Sequence, residues 1–192
     1  MKLIFDTETT GLINYKAPRI HPSQPRCVQL GAILSDDNGR VLAELNVIIK
    51  PDGWTVPKEA SDVHGITTEM CEKYGVPIVH ALSLFNRLVG IADTLVAHNF
   101  DYDNQVLENE FARIGKPNNF VGKPSFCTMK ASTNICAIKG PRGNKWPKLQ
   151  ETHKFFFNEE FEGAHDAMAD VRACKRVFFH LVQLDIDSKK NS

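Results

Sequence analysis

The feature that most constrains this chain stands at its start, where the apolar run Leu3-Ile4-Phe5 leads directly into Asp6-Thr7-Glu8-Thr9-Thr10-Gly11. A short continuous apolar run reads as a buried strand. Alternation along a strand sends Asp6 and Glu8 to one side and Thr7 and Thr9 to the other. Two carboxylates on one face repel each other unless a proton or a cation lies between them. The chain therefore needs a core strand that ends in a site able to hold charge.

The rest of the pattern supplies the layers around that strand. Pro18, Pro22 and Pro25 deny regular structure to residues 13–26, which read as a loop. Cys27 to Leu34 and Val41 to Ile49 are β-rich runs joined by Asp36-Asp37-Asn38-Gly39, a hairpin signal. From Pro57 to Gly90 the pattern is helical, with Thr67 as a cap and Pro77 opening a longer helix. Thr94 to Ala97 is a short strand. Val106, Leu107, Phe111 and Ile114 mark an amphipathic helix, and Ser125 to Met129 a last strand. Residues 139–148 read as a loop followed by a helix, and a final helix is predicted over 164–184. Strands joined by a hairpin and then alternating with helices imply an α/β domain, a mixed sheet with helices packed on it. This domain is expected over residues 1–184, with a solvated tail over 185–192.

Composition narrows the setting. No apolar run reaches the roughly 18 residues of a membrane span, and acids follow Met1 too soon for a signal peptide. An intracellular, cytoplasmic protein is expected. Its five cysteines show no C-x-x-C spacing, which suits a reduced compartment. The formal net charge is zero, which argues against coating nucleic acid by bulk electrostatics but not against acting on it.

Further acids lie at two helix starts. Asp101 and Asp103 follow His98-Asn99, and either can serve as a cap or as a ligand. The segment does not form a calcium loop, because Val106 and Ala112 stand where that loop needs Gly and Glu. Near the end stands Ala164-His165-Asp166-Ala167-Met168-Ala169-Asp170, whose histidine can accept a proton near neutral pH. Together Asp6, Glu8, Asp103 and Asp170 offer hard oxygen ligands for two Mg²⁺ ions, with Mn²⁺ able to substitute. One ion would activate water and the other stabilise a leaving oxygen, with His165 as general base and a phosphodiester as substrate.

These residues also carry a resemblance. The chain resembles the DEDDh 3′→5′ exonucleases, through Phe5-Asp6-Thr7-Glu8-Thr9-Thr10-Gly11, His98-Asn99-Phe100-Asp101-Tyr102-Asp103 and His165-Asp166-Ala167-Met168-Ala169-Asp170. Val28-Gln29-Leu30-Gly31-Ala32 and His64-Gly65-Ile66-Thr67 are similar supporting segments. The family spacing places the second-motif acid at Asp103, with Asp101 as the alternative and Tyr102 where phenylalanine is usual.

The resemblance implies a ribonuclease H-like fold with a five-stranded mixed sheet flanked by helices. It implies Asp6, Glu8, Asp103 and Asp170 as metal ligands, His165 as base, and Thr9, Thr10, Leu12 and His64 as contacts to the terminal nucleotide. The partner it implies is a nucleic-acid 3′ end, DNA ahead of RNA, with a polymerase or replication protein as a further candidate. An exoribonuclease or oligonucleotide-trimming enzyme is the near alternative, and a non-catalytic adaptor the distant one. Arg142 and Lys145 in the basic loop 139–148 are candidate phosphate contacts, and Trp146 is expected to plug that loop onto the core.

Overall fold

In the computed structural model, which describes residues 1–120 and 122–190, the first strand is longer than its apolar run. β1 spans Lys2–Thr9, so Asp6 and Glu8 lie within the strand. It pairs antiparallel with β2 (Cys27–Ser35) along its whole length. β2 in turn pairs antiparallel with β3 (Val41–Ile48). On its other side β1 runs parallel to β4 (Thr94–Ala97), and β4 to β5 (Ser125–Cys127). The five-stranded order is β3-β2-β1-β4-β5, the mixed sheet expected.

The β1–β4 pairing covers only Lys2 to Ile4. Beyond Ile4 the β4-facing edge of β1 has no strand beside it among the described residues. This opening lies at the carboxyl ends of two parallel strands, where α/β sheets commonly receive ligands.

The connecting helices are α1 (Lys58–His64), α2 (Thr68–Tyr74), α3 (Ile78–Ile91), α4 (Phe100–Arg113), α5 (Thr128–Cys136), α6 (Leu149–Phe157) and α7 (Ala167–Lys190). Thr67 caps α2, its hydroxyl accepting from Met70 N at 3.3 Å. Alternation along β1 divides the core. Leu3 and Phe5 face α3 and α4, where Phe85, Phe100, Phe111 and Phe120 form an edge-to-face chain with Phe5. Ile4 faces α7, among Val96, Met168, Val171, Cys174 and Phe178. Asp6 and Glu8 continue the α7 side.

The expected hairpin forms: Gly39 N donates to the Asp36 carbonyl at 3.1 Å, with Gly39 at a left-handed φ of 82°, between the paired β2 and β3. Three expectations change. The last strand stops at Cys127 rather than Met129, and α5 begins at once. Residues 139–148 contain a two-residue ladder, β6 (Lys139–Gly140) with β7 (Gly143–Asn144). The final helix starts at Ala167 rather than Ala164 and runs to Lys190, past the expected stop at Leu184. An Asp185–Lys189 ion pair at 2.6 Å supports that extension, and Asn191 and Ser192 of the expected tail lie outside the described residues. No described helix is long and apolar enough to cross a membrane.

Candidate active site

A cavity of about 350 Å³ fills the opening beyond Ile4. Its lining includes Asp6, Glu8, Asp103, Asp170, His165, Leu12 and His98. The five residues expected to form the reaction centre are therefore gathered in one place, from β1, α4, α7 and the loop before α7.

Each is held by local structure. Asp103 Oδ1 accepts from the unpaired Thr7 backbone N–H at 3.0 Å and from the Thr7 hydroxyl at 2.7 Å. Thr7 points away from Asp6 and Glu8, so this contact ties α4 around the strand. Asp103 is 3% exposed. Asp101 turns outward, its side chain 68% exposed and paired with Lys130 at 2.5 Å. The structure thus brings Asp103, and not Asp101, into the cavity.

His165 precedes α7 with a left-handed φ of 68°, and its backbone N–H donates to Asp170 Oδ2 at 3.2 Å. The histidine is exposed at the cavity while Asp170 stays on the first turn of the helix. Ligand atoms of Glu8, His165 and Asp170 lie within 4.8 Å of one another.

The electrostatics follow from crowding acids in a poorly solvated crevice. Burial, with Asp103, Asp170 and Glu8 adding repulsion, holds the Asp6 carboxyl well above the ordinary range. Burial pushes Glu8 up to about 8, with Asp170 the leading neighbouring charge. Asp103 rises to about 7 by burial, against the pull of the Thr7 hydrogen bonds. Burial lifts Asp170 to about 6, opposed by the His165 N–H. A carboxylate set that resists ionisation when empty suits a hard divalent cation, which removes both the repulsion and the solvation deficit.

The other expected contacts separate. Thr9 Oγ1 meets Tyr102 Oη at 2.7 Å and the Gly11 carbonyl at 2.9 Å, and Thr10 Oγ1 accepts from Arg26 N at 2.9 Å. Both hydroxyls shape the turn that presents Leu12, which is 85% exposed on the cavity. The following loop is ordered around Gln24, whose side chain bonds the backbone of Asn14 and Ala17. His64 lies beside the Thr9 backbone and His165, its Nδ1 accepting from Ile66 N at 3.1 Å, and burial lowers its pKa. Arg142 is exposed on the β6–β7 hairpin beyond the cavity lining. Lys145 is engaged with Glu151 at 2.6 Å, and Trp146 points outward, contrary to expectation.

Sequence reasoning gave no role to His98, Tyr102, Leu149 or Gln29. His98 joins Thr128 Oγ1 at 2.9 Å to the Pro147 carbonyl at 3.0 Å, and burial lowers it to about 4, so it is neutral. Gln29 Nε2 donates to Asp166 Oδ2 at 2.9 Å, and its Oε1 accepts from Ala167 N at 3.1 Å. Asp166 Oδ1 accepts from Met168 N at 3.1 Å and Ala169 N at 3.0 Å, capping α7. A Cβ at Gly31 would meet the Ala167 backbone at 2.8 Å, so glycine permits this close seat. The clamp sets where Asp170 and His165 stand. Gln29→Leu is expected to lower kcat about 10–100-fold with little change in KM, the scale of other residues that orient a ligand. Steady-state kinetics checks this, and a change confined to KM would refute it.

Comparisons with known proteins agree with this fold. A family model described as an exonuclease matches residues 3–178. An uncharacterized exonuclease of Escherichia phage 186 is 28% identical over 184 residues, covering 89% of this chain and 82% of the relative. E. coli Exonuclease I in complex with a dT13 oligonucleotide superposes with a TM-score of 0.76 at 21% identity, over 94% of this chain and 40% of that one. The zinc-bound Exonuclease I–single-stranded DNA complex from E. coli gives 0.74 at 23% identity, over 93% and 39%. The chain therefore spans about two-fifths of the length of these structures, and the likeness shows the fold, ribonuclease H-like as expected. With the family model covering nearly all of its length, the chain belongs to the RNase_T exonuclease family.

Proposed function

We infer that the protein is a metal-dependent 3′→5′ exonuclease that removes nucleoside 5′-monophosphates from single-stranded or frayed DNA ends. The observation that carries this reading is the convergence of Asp6, Glu8, Asp103, Asp170 and His165 on one cavity in a chain of the exonuclease family. Asp6, Glu8, Asp103 and Asp170 would hold two divalent ions, Mg²⁺ with Mn²⁺ as substitute. Bound there, the ions supply an activated water and offset the charge developing on the phosphodiester.

The chain's own residues do the rest. His165, exposed on the cavity, takes the proton of the attacking water. Its strained backbone, bonded to Asp170, keeps the ring beside the acids. Asp103 is held on the cavity wall by both Thr7 donors. Leu12 offers an apolar surface to the terminal base, and His64 would meet the terminal nucleotide beside Thr9 and His165. Residues 1–184 form the catalytic unit, and the free thiols of all five cysteines suit a cytoplasmic setting.

The test is a panel of matched DNA and RNA oligonucleotides, labelled at either end, digested under Mg²⁺. Mononucleotides with 5′-phosphates should leave the 3′ end of single-stranded DNA first. Initial release from the 5′ end, or internal cuts, would overturn the polarity. Faster digestion of RNA would favour the ribonuclease reading, because no cavity residue here distinguishes the 2′-hydroxyl by chemistry alone.

A further inference from the structure

The β6–β7 hairpin is firmly built, yet it turns a tryptophan to solvent. Lys139 Nζ donates to Asn144 Oδ1 at 3.0 Å, and Asn144 Nδ2 ties the hairpin to Asn134 on α5 at 3.3 Å. Lys145 N donates to the Ile138 carbonyl at 2.9 Å, while Glu151 on α6 takes Lys145 Nζ at 2.6 Å and Lys148 N at 2.8 Å. Pro147 is buried, and its carbonyl is held by the cavity residue His98. Between these fixed points Trp146 is 64% exposed. Trp54 offers the contrast: its Nε1 is enclosed, and Arg26 stacks on its ring at 5.4 Å.

Position and charge indicate what covers Trp146. It is next to Pro147, which braces His98, and three residues before Leu149, which lines the cavity. Arg142 and Lys148 are exposed on either side in sequence, and neither has a carboxylate within ion-pair distance among the described residues. An exposed aromatic with exposed cations beside it in sequence, in a segment joined to the cavity through His98 and Leu149, matches how single strands are held, with a base stacked on a ring and phosphates beside cations.

We propose that Trp146 is a base-stacking platform for the single strand upstream of the cleaved nucleotide, with Arg142 and Lys148 flanking its phosphates. This rests on the exonuclease reading and adds a strand-binding surface outside the reaction centre. The tryptophan itself provides the readout. With Ca²⁺ replacing Mg²⁺ to slow cleavage, an oligothymidylate of about ten nucleotides should quench the protein's fluorescence. Trp54→Phe should keep the quench and Trp146→Phe should lose it. Trp146→Ala should raise KM for that strand about tenfold more than KM for the p-nitrophenyl ester of thymidine 5′-monophosphate, which is too short to reach the hairpin.

A quench that persists in Trp146→Phe overturns the proposal. So does an equal effect of Trp146→Ala on both substrates, which marks a structural role. A dimer dissociated by Trp146→Ala without change in strand affinity would assign the surface to a second copy and also overturn it. Cleavage of the strand with a silent Trp146 defeats only this inference, whereas absence of nuclease activity defeats the reading beneath it.

Discussion

Asp6→Asn is expected to lower Mg²⁺-dependent hydrolysis at least about 10³-fold while raising the melting temperature of the metal-free protein. The two effects share a cause. Asp6 sits where burial and the charges of Asp103, Asp170 and Glu8 all oppose its ionisation. An amide of the same shape removes that repulsion and with it a principal oxygen ligand. Active-site residues that cost stability are a recurrent trade. Losses of this size are typical when the group that stabilises developing charge is deleted. Initial rates and thermal melts of the two chelator-treated proteins check both halves. A variant that is inactive and also less stable than wild type would show that Asp6 serves the fold, not a strained site.

The second large effect concerns pH. Unfolded, these carboxylates titrate near their ordinary values, whereas in the fold Glu8 lies at about 8, Asp103 at about 7 and Asp170 at about 6. Between about pH 4 and pH 8 the folded, metal-free protein therefore binds more protons than the unfolded chain, so its stability falls as pH rises through that window. Below the window both states are protonated and this contribution is fully present; above pH 8 it is gone. A bound cation competes with those protons, so metal should stabilise most at the alkaline end. At 100 times its dissociation constant one ion adds about 2.7 kcal/mol, or about 5–10 °C in a chain of this size. Melts with and without Mn²⁺ should show that gain at pH 8 and a much smaller one at pH 5. Equal gains at both would contradict a proton-competitive carboxylate site.

Much of this site was legible because its signals are local. The period of two along β1 put Asp6 and Glu8 together, and residues flanking Asp170 placed His165 at a helix entrance. Spacing alone left Asp101 and Asp103 both open, because a helix start accepts an acid on either side. The difference arises from the Thr7 N–H that the short β1–β4 ladder leaves unpaired, a fact of sheet register. The Gln29–Asp166 clamp joins residues 137 positions apart, so no local pattern announces it. Only Thr128 and Met129 of helix α5 fall within the strand expected over Ser125 to Met129, and Thr128, Ser132, Thr133 and Asn134 give the helix little local signal. Its helical state comes from burying Thr128, Met129, Ser132 and Cys136. For Trp146, periodicity carries no information about which way a loop aromatic turns; its neighbours Lys145 and Pro147 are held by Glu151 and His98, and the ring between them is exposed.

The most direct test of the whole account is metal titration of hydrolysis. Chelator-stripped protein should release no mononucleotide from a 3′-labelled single strand, and activity should return with Mg²⁺ along a curve steeper than one-site binding. Full activity in excess chelator, or recovery in Asp6→Asn equal to that of wild type, would contradict a metal centre built from Asp6, Glu8, Asp103 and Asp170.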